Sequence, residues 1–227
     1  MSDMQQMPLA LKPPRRLSFD NYIGGDNQAI IETLNAGLEL GDWYLLIGPR
    51  GSGRTHLMSA VFQHLMEQGH ASAYVPLSDA TRWPLLDQIN APYVIIDDID
   101  ALAADSAGEM HLFNALNRWR IEKATVVMSA AALTEFVLPD LCSRLGQATR
   151  LTLKPLQDAD FEALVMRLAR DQEIEMPPEV AKYLVSRVRR NAGDITRLVN
   201  QVLLQSLSER RAVTIPMVRA LLQHSGE

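Results

Sequence analysis

The chain has 227 residues, 47% of them hydrophobic and 22% charged, which is enough for one large domain or two small ones around a real core. Twenty-two basic residues against 27 acidic ones give a net charge of −5, so attraction of the whole molecule to nucleic-acid phosphates is not expected, and any such role is local or indirect. The single cysteine, Cys142, excludes an internal disulfide and a multi-cysteine zinc site. The longest run without a formal charge, Thr55 to Met66, is shorter than the ~18–20 residues of a membrane span, and the N-terminus lacks the apolar core of a signal peptide. A cytoplasmic protein is expected.

Residues 1–17 carry little periodicity, contain Pro8, Pro13 and Pro14, and read as a flexible leader. Short apolar runs then begin at Trp43-Tyr44-Leu45-Leu46-Ile47 and recur at 71–75, 93–96, 124–128 and 150–153, separated by amphipathic stretches. Nearly continuous apolar runs of this kind, rich in Val and Ile, predict a five-stranded parallel sheet covered on both faces. Residues 18–153 are therefore read as an α/β domain.

After Lys154-Pro155 the strand signal stops. Asp158 to Gln172 sets Phe161, Leu164, Val165 and Leu168 on one stripe, and Ile195, Leu198, Val199, Val202 and Leu203 repeat at helical spacing. Pro177-Pro178 opens a helix whose apolar face includes Val180, Leu184 and Val188, and Pro216 begins a short last one. Residues 154–227 are expected to form a small all-helical domain, with 11 basic and 10 acidic residues.

The chemistry concentrates between the first run and the helix after it. Gly48-Pro49-Arg50-Gly51-Ser52-Gly53-Arg54-Thr55 has the P-loop spacing GxxxxGK[ST], with Arg54 in the lysine position. The glycines let backbone N–H groups curl around phosphate oxygens, the helix start adds its positive dipole end, and Thr55 would offer a hydroxyl to Mg²⁺. A planar guanidinium donates to phosphates but does not reproduce a compact ammonium between them, so binding is expected to survive while fast hydrolysis is not assured. The third run ends in Asp97-Asp98. Adjacent acids at the tip of a buried strand call for a cation or a catalytic role; Asp97 would hold the Mg²⁺ shell and Asp98 would position water. Ser129, at the end of the fourth run, reads either as a contact to the γ-phosphate region or as a plain buried serine. Arg144 and Arg197, taken singly, read as surface ion-pair partners.

Together these residues resemble the AAA+ superfamily, and within it the replication-initiator clade typified by DnaA, over about residues 17–225. Leu17-Ser18-Phe19-Asp20-Asn21-Tyr22, with Gly25 and Asn27, looks like the clade's N-terminal segment, which implies that Phe19, Tyr22 and Ile23 line an adenine pocket. The P-loop followed by His56-Leu57, and the strand ending Ile95-Ile96-Asp97-Asp98-Ile99, are similar to its nucleotide motifs, and His56 joins the cofactor-binding set. Leu141-Cys142-Ser143-Arg144-Leu145 matches the segment that carries the arginine finger, and Gly193-Asp194-Ile195-Thr196-Arg197-Leu198 matches the lid motif with its sensor arginine. The resemblance implies a P-loop domain with a helical lid, binding ADP or ATP with Mg²⁺.

Two departures from the clade narrow the expectation. The lid uses up the chain by about residue 225, so a helix-turn-helix domain of the DnaA kind is not expected, and Ala130 stands where an Asp usually follows the sensor serine. With Arg54, this puts vigorous ATPase activity in doubt. Gln6-Met7-Pro8-Leu9-Ala10-Leu11 is similar to the hexapeptide that binds the bacterial sliding clamp, matching at Gln6, Pro8, Leu9 and Leu11. Such a peptide binds extended, its apolar side chains filling a pocket. On a DnaA-like core the combination resembles the clade's regulatory inactivators, which implies three things: docking on the DNA polymerase III sliding clamp and so indirectly on DNA, contact with ATP-bound DnaA, and Arg144 supplied in trans. An active ATPase such as a helicase loader, and a clamp adaptor that uses no nucleotide, remain the alternatives. A homo-oligomer is compatible with a finger that works across interfaces.

Overall fold

The computed structural model describes residues 17–133, 136–188 and 191–224, so the expected clamp-binding segment, Gln6 to Leu11, lies outside the described residues. The chain divides into two compact units, Arg16–Pro155 and, C-terminal to it, Leu156–Glu227.

The first unit is built on five parallel strands: β1 (Trp43–Ile47), β2 (Ser72–Pro76), β3 (Tyr93–Asp97), β4 (Thr125–Ala130) and β5 (Thr149–Thr152). Their order is β2-β3-β4-β1-β5. β3 and β4 are buried along their whole length, which is why their sequences are apolar without alternation. The period of two still operates, because it divides each strand between two cores. Leu45, Val94, Ile96, Val126 and Met128 face one layer, and Leu46, Ile95 and Val127 face the other.

The first layer is closed by α3 (Ser106–Ile121) and α4 (Pro139–Leu145), which contribute Leu112, Leu116, Trp119, Leu141 and Leu145. The second is closed by α1 (Gln28–Asn35) and α2 (Arg54–Glu67), through Ile31, Leu34, Leu57, Met58 and Val61. Trp43 and Trp119 are buried and Trp83 packs at the core edge, so all three serve packing, with Trp43 Nε1 donating to the Ala124 carbonyl.

The strand ends differ by a residue or two from the sequence reading, and pairing explains each case. β4 extends to Ala130 because Ala130 is paired with Ile47, whereas Ala124 N–H is drawn back to the Trp119 carbonyl. β3 gains Asp97, which pairs with Pro76. Between β2 and β3 lies a 3-10 segment, Ala80–Asp87, with Pro84 inside it and Arg118 donating to the carbonyls of Leu86, Asp87 and Ile89. Asn27 ties the two ends of the unit: its amide donates to the Lys154 carbonyl at 3.0 Å and accepts from the Lys154 N–H at 2.8 Å.

The second unit contains α5 (Asp158–Asp171), α6 (Pro178–Arg187), α7 (Ala192–Glu209) and α8 (Ile215–His224). Its core gathers Phe161, Val165, Val180, Leu184, Ile195, Val199, Val202 and Val218, with Leu164 and Leu168 at its edge. Val188 packs against this core although α6 ends before it, at Arg187, where the backbone turns extended. Among the described residues no helix is long and apolar enough to cross a membrane.

Candidate functional site

The P-loop joins β1 to α2, at the carboxyl edge of the sheet where open α/β sheets take their ligands. Gly53 caps α2 in the left-handed region, at φ 87°, and a Cβ there would stand 2.6 Å from the Tyr22 ring. A Cβ on Gly48 would come within 2.6 Å of Ser52 Oγ. Both glycines are thus required by close approach. Tyr22 completes the loop from outside: its hydroxyl donates to the Ser52 carbonyl at 2.8 Å, and its ring meets His56 edge-on at 5.2 Å. Burial pushes the Tyr22 phenol up to about 12. His56 Nε2 in turn donates to the Ser18 carbonyl, so the N-terminal segment is held against the first turn of α2. Phe19 packs edge-on against His64, further along the same helix.

The strand order inserts β4 between β1, which carries the P-loop, and β3, which carries the acids. Ser129 on β4 is fully buried, and its hydroxyl donates to Asp97 Oδ1 and accepts the Asp98 N–H at 2.9 Å. Its polar capacity is therefore spent on the tip of β3. Asp97 is 1% exposed, and its other oxygen accepts the Tyr74 hydroxyl at 3.1 Å. The Tyr74 phenol is pushed far up, by burial first and by the Asp97 charge second. Asp98 follows in the left-handed region, at φ 58°, a conformation that Asp tolerates better than most side chains. That turn directs the chain into the 3-10 segment Ile99–Leu102.

Arg54 reaches this tip from the P-loop. Its Nη2 lies 3.2 Å from Asp98 Oδ1 and its Nη1 lies 3.6 Å from Asp100 Oδ1, with the guanidinium side chain only 11% exposed. Burial holds the Asp98 carboxyl above the usual range, the Asp97 charge adds to this, and Arg54 opposes it. The cation that the paired acids call for is thus supplied by the protein itself.

Among the described residues three buried polar atoms around the loop have no hydrogen-bond partner: the donors Ser52 Oγ and Arg54 Nη1, and the acceptor Asp100 Oδ1, which faces Nη1 as an ion pair at 3.6 Å. Unspent donors and glycines with no room for a Cβ suit an oxygen-rich anion. The residues expected to hold Mg²⁺ do not suit a dication as well. Asp97 is buried with both oxygens engaged, and the neighbouring Asp98 and Asp100 face a fixed guanidinium. Thr55, Arg50 and Pro49 are exposed at the loop surface.

Arg144 sits half-buried in the last turn of α4, and no described residue pairs with its guanidinium. Glu109, a residue the sequence reading did not single out, fixes the start of that helix. Fully buried on α3, it accepts the N–H groups of Val137 and Leu138, and that of Ala104. An acid in the first turn of a helix reads as a partner of that helix's own dipole and carries no sequence signal for work on another helix. Arg197 belongs to the second unit, on α7, where it is exposed and pairs with Asp194 at 3.2 Å. Among the described residues no group of His, Cys, Asp and Glu could hold a metal ion.

Residues 158–222 match the family model described as "Hda, lid domain". Domain III of the replication initiation protein DnaA from Thermotoga maritima is similar over 95% of this chain and 98% of its own, with 19% identity and a TM-score of 0.77. The AMPPCP-bound DnaA of Aquifex aeolicus is similar over 83% of this chain and 65% of its own, at 17% identity and a TM-score of 0.67. The Thermotoga maritima RuvB Holliday junction branch migration motor is similar over 92% and 72%, at 20% identity and a TM-score of 0.70. The five-stranded sheet order, the P-loop on β1 and the helical unit that follows thus give this chain the fold of DnaA domain III and of the RuvB motor, with a C-terminal unit that matches the Hda lid domain.

Proposed function

We propose that this chain is an Hda-type negative regulator of chromosomal replication initiation. In this reading it binds a nucleoside diphosphate, ADP, in the P-loop cradle, docks on the DNA-loaded sliding clamp through Gln6 to Leu11, and stimulates hydrolysis of the ATP bound to DnaA. The observation that carries the reading is a lid of the Hda family on a AAA+ core whose Arg144 has no described partner.

A guanidinium in the last turn of α4 with no partner among the described residues is available to another molecule. Inserted beside a γ-phosphate, it would neutralise charge that develops during phosphoryl transfer, an effect worth ~10³–10⁵ in rate for fingers supplied in trans. The chain's own loop supports a weaker role in hydrolysis. Asp98, the acid expected to position water, is held by Arg54. The residues that would hold the nucleotide are the backbone of 48–55 with Arg54, His56 on α2, and Phe19, Tyr22 and Ile23 from the N-terminal segment. Arg197 would contribute from the lid.

The test is the ATPase rate of DnaA with loaded clamp and either the wild-type chain or Arg144→Ala. The variant is expected to return hydrolysis to its unstimulated rate while leaving nucleotide affinity and clamp retention unchanged. Undiminished stimulation by the variant defeats the finger assignment. Robust turnover by the isolated wild-type chain, abolished by Asp98→Asn, would instead favour an ATPase motor.

A further inference from the structure

We infer that this site binds its nucleotide without a divalent cation, because Arg54 takes the cation's place between the β3 acids and the phosphates. The inference rests on the nucleotide reading above and adds the chemistry by which the charge is balanced.

A metal ion at a P-loop has two faces: one toward carboxylates at the strand tip, the other toward phosphate oxygens. Arg54 already has the first face, through Nη2 to Asp98 and Nη1 to Asp100. It also starts at the first position of α2, beside the cradle where the second face is needed. A guanidinium carries five N–H donors in one plane, so two directed at acids leave others for phosphate oxygens. Among the described residues the buried Nη1 makes no hydrogen bond, its contact with Asp100 being an ion pair at 3.6 Å, and the buried Ser52 Oγ in the same loop makes none either. These are donors awaiting an acceptor.

The carboxylate that would anchor a metal is meanwhile withdrawn. Asp97 is buried, with one oxygen held by Ser129 and the other by Tyr74. A dication arriving beside the permanent charge of Arg54 would meet repulsion in a poorly solvated place and would have to displace two ion pairs. The lysine more common at this position behaves differently. Its ammonium is a compact point charge that does not span two acids and a phosphate at once, and a metal then completes the bridge.

The experiment is titration of the full chain with ADP by calorimetry, in buffer containing Mg²⁺ and in buffer containing excess EDTA, for the wild type and for Arg54→Lys. The wild-type affinity is expected to agree within about twofold between the two buffers, while R54K binds at least tenfold more weakly in EDTA and regains affinity with Mg²⁺. A wild-type affinity that falls tenfold or more in EDTA overturns the inference and leaves the nucleotide reading standing. No binding in either buffer defeats the nucleotide reading, and the inference with it. If R54K folds with an unchanged circular dichroism spectrum and is as indifferent to EDTA as the wild type, the assignment to Arg54 is wrong.

Discussion

Tyr22 and Gly53 interlock: the ring stands where a side chain on residue 53 would be, and the hydroxyl is committed to the Ser52 carbonyl. The phenol is held protonated by burial, and the direction of the resulting pH effect follows. Its folded-state value of about 12 lies above the ordinary 10, so the folded protein retains a proton that the unfolded chain releases first. The stabilisation is complete below pH 10 and is lost as the pH rises toward 12, by about 2–3 kcal/mol. Tyr22→Phe removes this contribution. Urea denaturation across that range should show wild-type stability falling more steeply than that of Y22F; parallel curves would mean that the phenol is not so confined. At this scale the sequence was informative about which residues matter and silent about how they are used. Arg54 and Asp98 were legible as site residues because the P-loop spacing and the acids after a buried run announce them. Their mutual ion pair was not, since it joins residues 44 positions apart whose separate signals both point at a ligand.

Among the elements, α4 shows how a helix can be positioned from outside. It starts at Pro139 with Leu138 as its cap, a residue with no side-chain oxygen for the free N–H groups of the first turn. Glu109 of α3 does not bond those groups but fixes the two residues before the helix, accepting from Leu138 and Val137, and its negative charge lies beside the helix start, where the dipole favours it. Glu109→Ala would take the carboxylate acceptor from three part-buried N–H groups and empty a fully buried position, and should lower stability by about 3 kcal/mol, with Glu109→Gln costing less because one oxygen still accepts. The midpoint of urea unfolding checks this, and a variant within 0.5 kcal/mol of wild type would refute it. The five strands were legible for a simple reason: buried parallel strands leave continuous apolar runs. The 3-10 segment at Ala80–Asp87 was not, because it lacks a period and is held by Arg118, a side chain from another element. Val188 misled for a related reason. It packs on the lid core, as an apolar residue at helical spacing should, but the helix has ended before it.

For the whole molecule, the proposal separates three tasks along the chain: docking by the leader, nucleotide binding by the α/β unit, and delivery of Arg144 to a partner. Replacing Gln6, Leu9 and Leu11 together with alanine should therefore eliminate retention on immobilised loaded clamp while leaving the melting temperature and ADP affinity unchanged. Retention equal to wild type would show that docking uses another surface. The net charge of −5 fits a protein that reaches DNA through a protein partner.

The clasp between Asn27 and Lys154 has a mechanical consequence under that division of labour. Chain entering the α/β unit from the leader and chain leaving it toward the lid are joined by two hydrogen bonds across 127 residues of sequence. Tension applied between a tethered leader and a lid engaged elsewhere would pass through this short circuit first. The sheet and the loop between β1 and α2 would stay unloaded for as long as the clasp holds.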